Sequence, residues 1–178
     1  MKIAILASTI VLCLSWSCSE PSTVNTVETR EERPDQESWN VIITMTDEGL
    51  KRVTVRADHL EKFNDRLLVF LEDNVVADFY DAYENPKTIL YSDKAEIDES
   101  ANYMQAIDNV VVKSDSGITL YTSTLAWDHD AESIYTEDSV MITTEQNDTL
   151  YGIGFESDLQ LNHWKILKPS GVSGRIDE

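Results

Sequence analysis

The sequence predicts an all-β fold assembled from repeated hairpin units. A hydrophobic period of two dominates from Trp39 onward, no segment of ten or more residues keeps an apolar stripe at helical spacing, and one set of residues recurs at a step of thirty. The set comprises Leu90-Tyr91, Leu120-Tyr121 and Leu150-Tyr151, with Asp98, Asp128 and Asp158, Ala101 and Ala131, and Asp108-Asn109-Val110 with Asp138-Ser139-Val140. Upstream the step becomes thirty-five: Asp58 matches Asp93, and Asp73-Asn74-Val75 matches Asp108-Asn109-Val110. Five extra residues therefore lie within "VADFYDAYENPKTIL", whose Asp, Asn and Pro place the insertion in a loop. The chain reads as about three and a half copies of one supersecondary unit, each too small to bury its apolar face alone.

In chain order, "WNVIITMT" puts Trp39, Val41, Ile43 and Met45 on one face, Asp47-Glu48-Gly49 reverses the chain, and "LKRVTVRAD" returns as the second arm of a hairpin. Further turns are readable at Asp115-Ser116-Gly117 and Asn147-Asp148. Parity predicts an inner face of Ile89, Tyr91, Ala95 and Ile97 in the second unit, then Tyr121, Leu125 and Trp127 in the third. Tyr151, Ile153, Phe155, Leu159 and Leu161 continue it in the fourth. Val75, Ala77 and Phe79, Val110 and Val112, and Val140 and Ile142 extend it from the later arms. The opposite parity carries Ser92, Lys94, Asp98, Asp128 and Asp130. An inward apolar row and an outward wet row suit an elongated, folded-over antiparallel sheet. Such rows describe a filled core, or a long trough able to hold an acyl chain. Gly152-Ile153-Gly154 precedes a strand-like "FESDLQL" and marks a kink or a close backbone approach.

The N-terminus divides from this pattern. "MKIAILASTIVLCLSWSCSEPS" has one Lys, an apolar run from Ile3 to Trp16, then small residues and Cys18. That run is shorter than the roughly 20 residues of a spanning helix and suits the apolar region of an export signal over residues 1–17. Cys13 lies inside the signal, so the exported chain keeps Cys18 alone and has no disulfide partner for it. Leu14-Ser15-Trp16-Ser17-Cys18 resembles a bacterial lipoprotein cleavage site, with Ser17 as the small residue before a lipidated Cys18. Several acyl chains, at about 0.8 kcal/mol per buried CH₂, make a firm anchor. Residues 18–38 are polar and aperiodic, as a tether requires, and residues 39–178 form the folded domain.

A formal charge of −19 argues against nucleic acid, whose binding needs Lys and Arg to displace counterions, and against adhesion to anionic membranes. It suits a solvated acidic surface. His59, His129 and His163 fall in no spacing that assembles a metal site, and in Asp128-His129-Asp130 neighbouring strand residues face opposite sides. No Gly-x-Ser-x-Gly elbow and no Gly-rich phosphate loop is present, so the sequence predicts neither cofactor, metal nor catalysis.

The anchor, the tether and the units "LYSDKAEIDESANYMQAIDNVVV" and "LYTSTLAWDHDAESIYTEDSVMI", with the final "YGIGFESDLQLNHWKILKPSGVSGRI", resemble the LptC family of lipopolysaccharide export and the bridge proteins sharing its domain. The likeness rests on Asp93-Lys94-Ala95, Asp108-Asn109-Val110-Val111, Leu125 to Asp128 and Asp138-Ser139-Val140, and covers roughly residues 39–177. It implies an open β-jellyroll whose interior holds the acyl chains of lipopolysaccharide, received from an inner-membrane ABC transporter and passed to the next jellyroll. It further implies docking by strand addition, with Val172, Gly174 and Ile176 as donor edge and Trp39, Val41 and Ile43 as receiving edge. Family members are typically held in the inner membrane by a transmembrane helix, so the resemblance implies the inner membrane, whereas this chain offers Cys18, and Ser19 after it does not favour inner-membrane retention under the enteric sorting rule, which leaves the outer membrane open. The rival reading is a structural or adhesive lipoprotein with a filled core, whose acidic face binds a partner or calcium.

Overall fold

The computed structural model describes residues 33–170 apart from Asp130, Glu132 and Asn147. They form nine strands: β1 (Gln36–Asp47), β2 (Leu50–Phe63), β3 (Leu68–Tyr80), β4 (Pro86–Asp98), β5 (Tyr103–Ser114), β6 (Thr119–Asp128), β7 (Ser133–Thr143), β8 (Thr149–Asp158) and β9 (Trp164–Ser170). All pair antiparallel in one sheet whose spatial order is the chain order. The fold is thus all-β, as the sequence predicts. Its first strand opens at Gln36, so Gln36–Ser38 belong to the sheet and not to the tether.

The hairpin turns follow local chemistry. Glu48 and Gly49 both take positive φ, the two-residue turn whose twist matches antiparallel strands. The recurring Asp98, Asp128 and Asp158 end alternate strands, and each carboxylate accepts a backbone N–H of the turn that follows: Ala101 N at 3.2 Å, Ala131 N at 2.9 Å and Asn162 N at 2.8 Å. The insertion of the first unit is divided: Asp78–Tyr80 extend β3, and the loop 81–85 is tied by Asp81, which accepts from Tyr83 N and Asn85 N at 2.8 and 2.9 Å.

A line of β-bulges crosses the sheet at mid-strand. Register shifts fall between Arg56 and His59, Glu72 and Val75, Tyr91 and Lys94, Ile107 and Val110, Tyr121 and Ala126, and Thr136 and Ser139. At two of them Asp73-Asn74 and Asp108-Asn109 take consecutive left-handed φ values of 59° and 52°, and 62° and 52°. Asp and Asn bear that conformation at lower cost than other side chains, so the repeated Asp-Asn-Val is the sequence of a bulge. Gly154, at φ 76°, continues the line on β8.

Bulges bend strands, and a row of them folds the sheet upon itself. Contacts far apart in sequence join the two halves: the Phe79 and Trp127 rings meet edge to face at 5.8 Å, Thr88 Oγ1 donates to Leu159 O at 2.8 Å, and Ser114 Oγ donates to Gln160 O at 2.7 Å. Between the halves lies one apolar cluster, with Leu71, Leu120, Ile142, Phe155 and Leu161 wholly buried. Each such side chain contributes roughly 1.5–3 kcal/mol by leaving water.

Candidate functional site: the apolar interior and the sheet edges

Of the predicted inner-face residues, Ile97, Val110, Val112, Leu125, Trp127, Val140, Ile142 and Phe155 are buried between the two halves. Leu159 lies beyond β8 in the connection to β9 and packs, partly buried, against the core. Five others face outward. Ile89 is replaced in the interior by its neighbours Thr88 and Leu90, Tyr91 by Leu90 and Ser92, and Tyr121 by Leu120. Tyr151 and Ile153 are each half exposed while Gly152 between them is buried.

The cause is the bulge line. A bulge adds one residue to a strand and reverses its alternation, so Tyr91 and Ala95, which share a numerical parity, face opposite sides. Tyr91, Val111, Tyr121, Met141 and Tyr151 instead form a cross-strand ladder on the outer face. Sequence reasoning passed over Val53, Val55, Leu71, Leu90, Leu120 and Ile134, all buried. The alternation in "LKRVTVRAD" was a usable sign for Val53 and Val55.

The interior is not uniformly filled. At mid-sheet, where Val55, Ala77, Leu90, Ala106 and Leu125 converge, the packing leaves a gap of about 20 Å³, no more than a single water could occupy. Towards one end a cavity of about 390 Å³ opens between Ile43 and Met45 of β1 and the facing Val69, Ile97, Met104 and Trp127. That size lies in the range of small-ligand pockets. Arg52, Asp98, Glu99 and His129 also line the cavity, none of them buried, so the polar part of its lining lies towards solvent. Trp127 Nε1 is buried without a hydrogen-bond partner, an exception to the usual satisfaction of buried donors.

The glycine pair behaves as its sequence predicts. A Cβ on Gly152 would collide with Ile166 and come within 2.7 Å of Lys168 O, so only glycine lets β9 lie against β8 there.

The sheet ends in β1 on one side and β9 on the other, and among the described residues neither pairs a further strand along its outer edge. Val41 and Ile43 turn partly inward from β1, but Trp39 does not share their face: Asn40, at φ 53°, breaks the alternation and leaves Trp39 outside against His59. Val172, Gly174 and Ile176 lie outside the described residues, as do Cys18 and residues 1–17, for which the sequence predicts an export signal. Among the described residues no helix is long and apolar enough to cross a membrane.

Comparison with known proteins agrees with this architecture. No curated protein sequence matches the chain. A similar solved structure is the crystal structure of LptH, the LptA-homologous periplasmic component of the conserved lipopolysaccharide transport device from Pseudomonas aeruginosa: 13% identical, covering 71% of this chain and 89% of that one, with a TM-score of 0.52. At that identity the likeness is one of fold, an LptA-like jellyroll. The family described as "Lipopolysaccharide-assembly, LptC-related" matches residues 3–177, nearly the whole chain. With its sheet folded along a line of bulges and its apolar interior, the chain belongs to the LptC-related family of lipopolysaccharide-assembly proteins.

Proposed function

We propose that this chain is a lipid-transfer component anchored in a membrane through lipidated Cys18. It takes lipopolysaccharide from an inner-membrane ABC transporter and passes it to the next jellyroll of the periplasmic bridge. The observation carrying this reading is the cavity of about 390 Å³ between β1 and the facing strands, apolar in its walls and polar at its rim. Such a division accepts acyl chains while leaving sugars and phosphates in water. Strand addition at β1 and at the C-terminal segment supplies the connections, since among the described residues no further strand pairs with either outer edge of the sheet.

The tightly packed mid-sheet favours one rival, a structural lipoprotein with a filled core. Photocrosslinking in cells separates the two. A photoreactive residue at Ile97 or Met104, both on the cavity wall, gives lipopolysaccharide adducts if the chain conducts lipid, whereas one at outward Tyr91 gives none. Absence of adducts at all three positions in a folded, exported protein supports the filled core.

A further inference from the structure

On the outer face of β1, β2 and β3, far from the acyl-chain interior in chemistry, stands a histidine among carboxylates. Cross-strand pairing sets Glu37 opposite Glu61, Trp39 opposite His59, and His59 opposite Glu72. His59 Nε2 lies 2.9 Å from Glu37 Oε1, and its Nδ1 lies 3.8 Å from Glu72 Oε2. Lys94 Nζ holds Glu72 at 3.0 Å, and the Trp39 ring packs on the imidazole with centroids 5.5 Å apart. One donor atom each from Glu37, His59 and Glu61 fall within 4.8 Å of one another.

Two features single this group out from the general acidity of the chain. Like charges directly opposite on a sheet repel, so the Glu37–Glu61 pair is a local cost that a cation between them removes. Second, the two ring nitrogens are divided between carboxylates: Nε2 lies against Glu37, and Nδ1 lies 3.8 Å from Glu72 on a third strand, itself held by Lys94, which places an acidic group where metal-bound histidines have their outer partner. Trp39 limits the ring's rotation.

We propose that Glu37, His59 Nε2 and Glu61 bind a divalent transition-metal ion of the zinc type, with water in the fourth position and Glu72 as the outer partner of His59. A tetrahedral ion at about 2.0–2.1 Å from each ligand requires donor atoms about 3.3 Å apart. Loading the ion therefore requires the glutamate arms to close from within 4.8 Å to that spacing by rotation about their χ angles. Imidazole with carboxylate suits zinc and its neighbours, whereas calcium calls for 6–8 oxygens that this face does not gather. The site is independent of the lipid-transfer reading and takes Glu37 from β1, an outer strand of the sheet among the described residues. Glu37 lies twenty-two residues before His59 and twenty-four before Glu61, so the sequence spacing does not bring it to the other two.

The test is metal uptake by the untagged full-length chain, thiols alkylated, stripped with chelator and desalted. Zinc is followed by calorimetry and cobalt by its visible spectrum. One ion per chain is expected, with a four-coordinate cobalt spectrum and no competition from excess calcium. His59→Gln and Glu61→Gln abolish the spectrum, Glu72→Gln weakens zinc binding about 10–100-fold, and the control His163→Gln changes nothing. Circular dichroism verifies that each variant is folded. No saturable uptake by the wild type, or a His59→Gln titration that overlays it, overturns the proposal.

Discussion

Asn109 Nδ2 donates to Asp93 Oδ2 at 2.6 Å, and one hairpin earlier Asn74 Nδ2 donates to Asp58 Oδ2 at the same 2.6 Å. The repeat in the sequence is therefore a repeat of one device: an Asp on one strand restrains a left-handed Asn on the next, where the sheet folds over. The third unit modifies it, with Thr124 Oγ1 donating to Asp138 Oδ2 at 2.7 Å.

Replacing Asn109 should separate the two roles of this residue. Asn109→Ala loses the hydrogen bond and places a Cβ that resists left-handed φ, for a combined loss of about 2 kcal/mol. Asn109→Gly keeps the backbone free and loses only the bond, about 1 kcal/mol. Urea unfolding measures both, and equal losses would remove the left-handed backbone from the explanation.

Gly152→Ala should detach β9. The added methyl meets Ile166 and the backbone of Lys168 and Pro169, which cannot withdraw without breaking the β8–β9 pairing. A loss of about 1–3 kcal/mol is expected, together with faster amide exchange across Trp164–Ser170. Unchanged protection in β9 would show that the strands accommodate the methyl.

Phe155 and Tyr151 share a sheet strand and a numerical parity, yet Gly154 puts them on opposite sides. Phe155→Ala should cost about 3–5 kcal/mol, Tyr151→Ala no more than about 0.5 kcal/mol. Chemical denaturation of the two variants tests the assignment of faces, since the sequence alternation predicts comparable losses.

His59 gives the protein a pH dependence. The hydrogen bond that His59 donates to Glu37 raises its pKa above 6.5, burial opposes this, and the charges of Glu37, Glu61 and Glu72 reinforce the rise. Because the folded value exceeds the unfolded one, the stabilisation is fully present below about pH 6.5 and is lost as pH rises through the folded pKa. In buffer containing chelator, melting temperatures of wild type and His59→Gln should converge from pH 6 towards pH 8. A constant difference would place the effect of His59 in packing against Trp39 instead.

Much of the fold was legible because a strand writes its two faces at a period of two and this chain keeps no competing helical stripe. The thirty-residue step was legible because Asp98, Asp128 and Asp158 must each close the same kind of turn. The faces were legible only away from the bulges. Ile97, Val110 and Phe155 were assigned correctly, while Tyr91, Tyr121 and Ile153 were not, since a single inserted residue reverses alternation and the residue types alone do not say on which strand position the extra residue falls.

The sequence by itself determined the all-β class, the turns and the family, because backbone periodicity, turn chemistry and recurring motifs are local properties of the chain. Tertiary structure alone decided which side each residue faces, where space remains beside Trp127, and that Glu37 stands next to His59 and Glu61. Those outcomes depend on register between strands and on the fold of the sheet across its bulge line, and both are set by the sum of many weak pairings, not by any one residue.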